Sequence, residues 1–444
     1  GPEAFKTIGV DTLFDIAKLD KHAEVRESCI GLLASLGPEV IESTGVQMIL
    51  CLAEQDKEWS VRKRAAAASA ELGAEAIGSV GVDILVRAVR EDSNLGVRAA
   101  AAGTLGKLGA EAVGSEAVLA VTRRADEDQS EEVRRSLAAA LGSFGVEAIG
   151  AHGVEVLMDL AEKDSALQVR LDAIAVIGKL GPKVTSVSSP SRLVRVAELD
   201  SSESARLAAI AAMSSLGAEG IGDVGVKVLL RIAVRDANKW VRRAGIAALV
   251  GLGAEGIGPA GVAELVRIAE QDGEWQPRRS AVSGLANFGA QAVGEANIQV
   301  ILRLLQKDSN REIRLAAAQA LANFGFEVKG IDVLEQVATS DSDPDVRRVV
   351  GGAYAKLRVE AIRKGGVSSL LEAAEQDDHA SVRQQALRVL GQLGTKAMGE
   401  ECVGVLLKVA EEDAGERVKI TACGALCKLG VQVQKHLPKL LESL

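Results

Sequence analysis

The stretch from Asp92 to Gly109, DSNLGVRAAAAGTLGKLG, decides the fold of this 444-residue chain. Val97, Ala101 and Leu105 recur at intervals of four residues, which places them on one face of a helix. The polar residues that open the stretch are typical of a helix N-terminus, and the closing glycine is typical of the position that follows a helix. The stretch therefore predicts a helix with one apolar face, which we call the B helix.

The same arrangement returns along the whole chain. An aspartate precedes each B helix, and the aspartates follow one another every 36 residues, with one interval shortened by three residues. The twelve aspartates are Asp20, Asp56, Asp92, Asp128, Asp164, Asp200, Asp236, Asp272, Asp308, Asp341, Asp377 and Asp413. Six residues after each aspartate stands an arginine, which is replaced by Lys419 in the last copy. A fixed period in this range indicates stacked structural repeats.

A second helix, which we call the A helix, precedes each B helix. After Gly81, the apolar residues Val82, Leu85 and Val89 recur at intervals of three and four, which predicts an A helix from Val82 to about Arg90. Neither helix can bury its apolar face alone, so each copy must stack on its neighbours. The sequence therefore predicts an all-α protein in which pairs of helices share one continuous core.

The repeated motif resembles that of a known family. The pattern Asp-x4-Val-Arg, a small residue and then Leu-Gly-x-Leu-Gly is similar to the HEAT repeat, as in Asp92–Gly109 and Asp128–Gly145. The Gly-Val-x-x-Leu opening of the A helix is similar to that of armadillo repeats. The resemblance covers the whole chain and implies an α-α superhelix, a right-handed HEAT/armadillo-type solenoid with its B helices on the concave side. Family members are mostly scaffolds, adaptors and transport receptors.

The repeat pattern also predicts the domain organisation. We expect a single solenoid of about twelve repeats over residues 1–444, with a C-terminal capping helix at about 435–444. A Ser/Thr/Pro-rich stretch interrupts the pattern at 182–191, and three residues are missing within 326–360, where Arg358 also replaces the closing glycine. These interruptions predict a looser connection at the first joint and a change of curvature at the second.

Composition narrows the classes of function. Apolar residues make up 48% of the chain but aromatic residues only 2%, so the core must consist of Ala, Val, Leu and Ile. A net charge of −9 and a pI near 5.3 disfavour general binding to phosphate backbones. The five cysteines lack the spacing of a disulfide framework, and no apolar run reaches the roughly 18 residues of a membrane span. We therefore expect a cytoplasmic protein without a membrane span.

The repeated aspartate and arginine are expected to be structural. Each aspartate lies near the N-terminus of a B helix, where free N–H groups and the helix dipole favour a carboxylate. Each arginine lies about one turn later, so it can bond this aspartate or that of the next copy. The alternative is an anion-binding stripe. The predicted ladder of ion pairs includes Asp56, Arg62, Asp92, Arg98, Asp128, Arg134, Asp164 and Arg170.

One position on the B helix forms a candidate partner-binding row. It lies just before the last apolar residue and faces away from the core, so we call it the inner row. In Leu285–Phe288 and Leu321–Phe324 it carries an asparagine, which resembles the peptide-holding asparagine of armadillo proteins, although the tryptophan that accompanies it there is absent. The alternative is a merely solvated face. The candidate residues are Lys107, Ser143, Lys179, Asn287, Asn323, Lys356 and Gln392.

Three tryptophans form a second candidate partner-binding site. Trp59, Trp240 and Trp275 stand between A and B helices, at what we call the loop edge, and basic residues follow each of them. An exposed tryptophan beside arginine is typical of an interaction hot spot. The alternatives are packing of each indole over its own loop and stacking on a single-stranded nucleic acid.

The outer face of the A helices carries a basic row. We expect this row to be a solvated convex face. In several copies an acidic residue follows the arginine by three residues, a spacing at which two side chains of one helix can pair. The pairs that this spacing predicts are Arg123 with Asp126, Arg195 with Glu198, and Arg267 with Glu270.

No cluster of residues suited to chemistry is visible in the sequence. The four histidines fall in different copies, and Cys423 and Cys427 lack a third ligand nearby. We therefore predict no catalytic, metal or cofactor site.

The favoured function is an interaction scaffold that binds an extended peptide or a helix of a protein partner on its concave B-helix surface. Two alternatives stay open: an enzyme subunit, such as the phycobilin lyases whose HEAT-like repeats this chain resembles, and a nucleic-acid-binding solenoid. The oligomeric state is open.

Overall fold

The computed structural model describes residues 2–325, 330–363, 366–393 and 400–428, without the side chains of 2–8 and 400–402. Regular structure within these residues is entirely helical, as predicted. One 3₁₀ helix covers Gly181–Ser186. The α-helices are α1 Pro2–Leu19, α2 Ala23–Leu36, α3 Pro38–Gln55, α4 Trp59–Leu72, α5 Ala74–Glu91, α6 Leu95–Leu108, α7 Ala110–Glu127, α8 Glu131–Phe144, α9 Val146–Lys163, α10 Leu167–Leu180, α11 Ser191–Leu199, α12 Glu203–Arg235, α13 Lys239–Gln271, α14 Trp275–Val293, α15 Glu295–Lys307, α16 Arg311–Phe324, α17 Ile331–Ser340, α18 Pro344–Arg363, α19 Val367–Gln376, α20 Ala380–Leu393, α21 Glu400–Glu412 and α22 Glu416–Lys428.

The third copy shows how the motif folds. The A helix in α5 ends at Asp92, whose backbone is extended, and the side chain of Asn94 caps α6 by accepting a hydrogen bond from the Gly96 N–H at 2.8 Å. The B helix α6 ends at Gly109, whose φ of 84° lies in the left-handed region that favours glycine. Gly114, with φ of 77°, then separates one short helical turn from the A helix of the next copy. The predicted order of A helix, polar break, B helix and short turn is confirmed.

The B helices pack more closely against one another than the A helices do. Small residues permit this approach, since a Cβ atom added to Gly106 on α6 would lie 2.8 Å from the Cα atom of Ala140 on α8. Between α13 and α14 the glycine lies on the later helix of the pair instead of the earlier one: Gly284 on α14 faces the larger Val250 on α13. We call this closely packed layer of B helices the inner layer.

The chain divides into two compact units. Unit 1 covers Gly1–Ala248 and unit 2 covers Leu249–Leu444, with the boundary inside α13. The tighter packing of B helices holds within each unit. The expectation of a single solenoid over 1–444 stays a prediction.

The first irregular joint is packed rather than loose. The Thr185 hydroxyl donates to the carbonyl oxygen of Pro182 at 2.8 Å, inside the 3₁₀ helix. The Val184 side chain is fully buried, and the Ser188 hydroxyl donates to the Glu155 carboxylate on α9. Short local hydrogen bonds and one buried apolar side chain replace the usual helical turn.

The second joint changes the length of a B helix. Without a glycine to adopt the left-handed conformation at position 358, α18 continues past the usual end of a B helix to Arg363. Residues 326–329 of this joint, and the capping helix expected at 435–444, lie outside the described residues.

Two helices, α12 and α13, are long and apolar enough to cross a membrane by length and composition alone. Each is interrupted by two glycines in non-helical conformations: Gly217 and Gly222 in α12, and Gly253 and Gly258 in α13. The helical stretches between these breaks, such as 203–216 and 223–235, are shorter than the roughly 20 residues that a span requires. We therefore assign both to the repeat, as a B helix, a short turn and an A helix.

Candidate protein-binding surface

The ladder of aspartate and arginine links neighbouring copies through double hydrogen bonds. On α6, Arg98 Nε and Nη2 donate to the two carboxylate oxygens of Asp128 at 2.7 and 3.0 Å. Its Nη1 donates to the backbone carbonyl oxygen of Asp92 at 2.9 Å, in its own copy. The Asp128 side chain is fully buried and also accepts from the Ser130 N–H at 2.9 Å. One arginine therefore holds its own loop and that of the next copy together.

We call each such arginine–aspartate pair a rung. Every rung within the described copies of unit 1 has both hydrogen bonds. Because each guanidinium already meets a carboxylate and a carbonyl oxygen, the rungs offer little to an external anion. The rungs of unit 1 are Arg26–Asp56, Arg62–Asp92, Arg98–Asp128, Arg134–Asp164, Arg170–Asp200 and Arg206–Asp236.

Unit 2 is less regular at its first rung. Arg278 bonds Asp308 through Nη2 alone, at 3.2 Å, and its buried Nε has no hydrogen-bond partner. Pro277 precedes it where valine is usual, in the first turn of α14. The rungs Arg314–Asp341 and Arg383–Asp413 keep both bonds.

One rung of unit 2 has changed its donor. Arg347 bonds only backbone carbonyl oxygens, while Asp377 pairs with Arg358 through Nε at 2.9 Å. Arg358 also donates to the Tyr354 hydroxyl and lies over the Tyr354 ring. The ring of His379 packs edge-on against that tyrosine at 5.2 Å between centroids. The sequence motif did not predict this exchange, because position 358 lies outside the Asp-x4-Val-Arg pattern.

The electrostatics of the rungs follow from their geometry. Burial by itself raises the pKa of Asp128, but hydrogen bonds from Arg98 and from the Ser130 N–H outweigh it and hold that pKa below its ordinary value. The pKa of Asp92 is lowered in the same way. For Asp413, the hydrogen bond from Arg383 is the largest cause of a lowered pKa. These carboxylates are therefore stably ionised near neutral pH.

The inner row is exposed at every described copy. Some of its side chains are already bonded locally: Ser143 donates to the carbonyl oxygen of Ala139 at 3.2 Å, and Lys356 lies 3.4 Å from that of Ala322. The remaining candidates make no hydrogen bond or ion pair within the described residues. They are Lys107 and Lys179 in unit 1, and Asn287, Asn323 and Gln392 in unit 2.

A neighbouring row extends this surface. Four residues earlier on each B helix, one turn away, unit 1 carries only glycine and alanine, from Gly31 to Ala247. In unit 2 the same position carries Ser283, Gln319, Gly352, Arg388 and Gly424, all exposed. Sequence reasoning overlooked Arg388, which the four-residue spacing from Gln392 could have revealed.

The tryptophans lie in the first turn of B helices rather than in the preceding loops. Trp59 is 47% exposed and Trp240 is 45% exposed, while Trp275 is half-buried. Arg243 lies 5.7 Å from the Trp240 ring centroid, within cation–π distance. Trp59 lies beside Gly96 of the next copy. Trp59 and Trp240 thus combine an exposed part with packing against neighbouring residues.

The expected ion pairs within the outer A helices are wrong for two glutamates. Glu198 accepts from Arg231 at 2.7 Å, and Glu270 accepts from Arg303 at 3.1 Å, each in the following copy. Arg267 instead pairs with Glu264 at 2.6 Å. The neighbouring A helix brings a closer partner than the spacing along one helix suggests.

Groups suited to metal binding are not assembled. The described parts of the chain contain no cluster of three or more His, Cys, Asp or Glu side chains that could hold an ion. Cys423 and Cys427 lie on α22 as free thiols, and burial raises the pKa of Cys423.

The stacked A and B layers, with their tighter inner layer, define an α-solenoid. A family model described as HEAT repeats matches residues 47–142, 262–355 and 367–444, which together exceed half of the chain. The chain belongs to the HEAT-repeat family. The predicted HEAT-like family and the predicted all-α solenoid fold are confirmed.

Solved structures share this fold at low sequence identity. Kap121p bound to Nup53p is similar with a TM-score of 0.66 and 14% identity, over 99% of this chain and 52% of that one. The karyopherin Kap121p bound to the SUMO protease Ulp1p has a TM-score of 0.64 and 15% identity, over 99% and 52%. Kap95p, in a structure with RanGDP, has a TM-score of 0.56 and 13% identity, over 100% and 64%. The chain thus spans about half the length of Kap121p, and no curated protein matches its sequence.

Proposed function

We propose that this chain is a protein-binding scaffold that holds an extended segment or a helix of a partner along its inner row, mainly in unit 2. The observation that carries the proposal is the exposed amide row, in which Asn287, Asn323 and Gln392 have no partner within the described residues. A carboxamide both donates and accepts hydrogen bonds, so it suits the main chain of a partner. The proposal assigns no catalytic activity.

Further observations support binding to protein. Kap121p, solved bound to Nup53p and to Ulp1p, and Kap95p, which binds RanGDP, have similar folds and bind proteins. The loop-edge residues Trp59, Trp240 and Trp275 supply a second candidate contact. Exposed free thiols at Cys51 and Cys427 fit an intracellular, reducing compartment, which we propose for the chain.

The test is affinity capture from lysate of the source organism, read by mass spectrometry, with matched variants. The first variant carries Asn287→Glu, Asn323→Glu and Lys356→Glu in unit 2. The second carries Lys107→Glu, Ser143→Glu and Lys179→Glu, at the same register in unit 1. All these positions are exposed, so circular dichroism should show unchanged helicity in both. Proteins that wild type captures and only the first variant loses would support the proposal.

Other outcomes move or reject the site. A partner kept by both variants but lost on Trp59→Ala, Trp240→Ala and Trp275→Ala would transfer the site to the loop edge. Failure to capture any protein, together with tetrapyrrole absorbance in the purified chain, would favour the enzyme-subunit alternative instead.

A further inference from the structure

We propose that the inner surface of unit 2, which consists of its inner row and the row one turn before it, selects an acidic partner segment. This segment is extended and carries two carboxylate side chains about six residues apart. This inference rests on the proposed function and adds the chemistry of the partner. Its basis is the charge of one surface: Lys356, Arg388 and Lys428 are exposed there on α18, α20 and α22.

Among the residues that the structure describes, these cations have no carboxylate partner. Arg388 and Lys428 make no ion pair within the described residues, and Lys356 reaches only a backbone carbonyl oxygen. Neither the inner row of unit 2 nor the row one turn before it contains Asp or Glu, from Ser283 to Lys428. The surface is therefore locally positive on a chain whose net charge is −9.

The other arginines of these same B helices differ. At the loop edge, Arg279 lies 3.6 Å from Glu312, Arg311 lies 3.3 Å from Asp343, and Arg348 lies 3.2 Å from Asp345. Their charges are compensated by carboxylates, whereas those of the inner surface have no such partner in the described parts of the chain. Uncompensated charge on an exposed surface steers and selects a partner of opposite sign.

Spacing sets the form of the partner. Adjacent B helices lie about 9 Å apart, so Lys356 and Lys428, two helices apart, are separated by about 18 to 20 Å. An extended chain rises about 3.3 Å per residue, so the interval corresponds to about six residues. Asn287 and Asn323 lie on the two preceding B helices, α14 and α16, and can bond the main chain of the same segment.

A peptide fits this surface better than a nucleic acid. Single-stranded nucleic acids are held by aromatic side chains on which bases stack, together with a continuous positive groove. The exposed inner row of unit 2 carries amides and ammonium groups but no aromatic residue among its described positions. Three cations suit a few carboxylates better than a run of phosphates.

The test is selection of a phage-displayed library of random 12-residue peptides on the full chain. We expect enrichment of Asp and Glu at two positions about six residues apart. Selected peptides, fluorescently labelled, should bind the variant Lys356→Glu, Arg388→Glu, Lys428→Glu about tenfold or more weakly in fluorescence anisotropy. The charge-matched variant Arg123→Glu, Lys227→Glu, Lys307→Glu should bind them within about twofold of wild type, because these exposed side chains lie on A helices, outside the inner row.

The outcomes separate this inference from the scaffold proposal. Enrichment of neutral or basic peptides, no enrichment, or equal binding to both variants would overturn the acidic-segment inference. Tighter binding of a 20-nucleotide single strand than of any selected peptide, lost in the unit 2 variant, would also overturn it. In each case the scaffold proposal stands if the variant with Asn287→Glu, Asn323→Glu and Lys356→Glu still loses a captured protein. It fails if that variant loses none.

Discussion

Unit 1 and unit 2 are built from the same repeat but differ in where their irregularities lie. Unit 1 keeps every described rung with two hydrogen bonds, from Arg26–Asp56 to Arg206–Asp236, and presents glycine and alanine one turn before its inner row. Unit 2 has a one-bond rung at Arg278 and an exchanged donor at Arg358, and its inner surface carries amides and cations. The difference teaches that the rungs and the inner surface depart from the common repeat in the same unit, unit 2.

The largest effect should come from protonating the rungs of Asp92, Asp128 and Asp413 together. Since the pKa values of these three aspartates are lowered in the folded chain, their rungs contribute their full stability above the ordinary aspartate pKa near 3.9. That stability is lost as the pH falls below about 4, through the folded-state values. The urea midpoint, followed by circular dichroism from pH 7 to pH 2, should drop steeply below pH 4. A midpoint that is flat down to pH 2 would contradict this account of the rungs.

The next effect distinguishes an intact rung from an exchanged one. Arg134→Ala leaves Asp164, whose side chain is 4% exposed, without its bidentate arginine partner, so it should destabilise by about 3–5 kcal/mol. Arg347→Ala removes only bonds to carbonyl oxygens and should cost about 1 kcal/mol. Both values would come from urea unfolding at pH 7. Equal costs would show that the carboxylate partner is not what stabilises a rung.

A smaller effect tests the close approach of the inner layer. Gly106→Ala places a Cβ atom 2.8 Å from the Cα atom of Ala140, so it should destabilise unit 1 by about 1–3 kcal/mol. Gly103→Ala on the same helix meets no atom within 4 Å and should stabilise by about 0.5–1 kcal/mol through helix propensity. Thermal unfolding of the two variants should therefore shift in opposite directions. A shift of the same sign would remove the steric argument.

The smallest effect concerns the exchanged rung itself. Arg358→Gly restores the usual closing glycine and frees Asp377 to bond Arg347, so the net change should stay below about 1 kcal/mol. Adding Arg347→Ala to it should cost about 3–5 kcal/mol, because Asp377 is 4% exposed and would then lose both candidate partners. A double-mutant cycle measures this coupling; additive costs would show that Arg347 cannot take over the rung.

Much of the fold follows from sequence periodicity. Asp-x4-Val-Arg and the closing glycine placed the B helices, because those residues act within one copy. The sequence did not show whether each arginine bonds the aspartate of its own copy or that of the next copy. The spacing along the chain allows both, because it does not give the distance between neighbouring copies. The outer pairs of Glu198 and Glu270 were mispredicted for the same reason: their partners, Arg231 and Arg303, come from the neighbouring copy.

The candidate surface was only partly predictable. The repeat pattern predicted that the inner row, including Asn287 and Asn323, is exposed. The prediction was possible because each residue of the row has the same position on its B helix, facing away from the core. Arg388 was not predicted, because a single basic residue in a row of mostly small residues does not interrupt the repeat pattern. The Arg358–Asp377 pair could not be predicted either, since it depends on α18 continuing through the position where other B helices end.

Each rung joins the guanidinium of one copy to the carboxylate of the next, which gives the array a direction. A cut in the loop after α8, at Gly145, would leave Arg134 on one fragment and Asp164 on the other, each without its partner. The two new ends are complementary in charge and in exposed apolar surface, and neither can satisfy itself. Fragments of unit 1 should therefore rejoin in one order only, with the head of one fragment recognising the tail of the other.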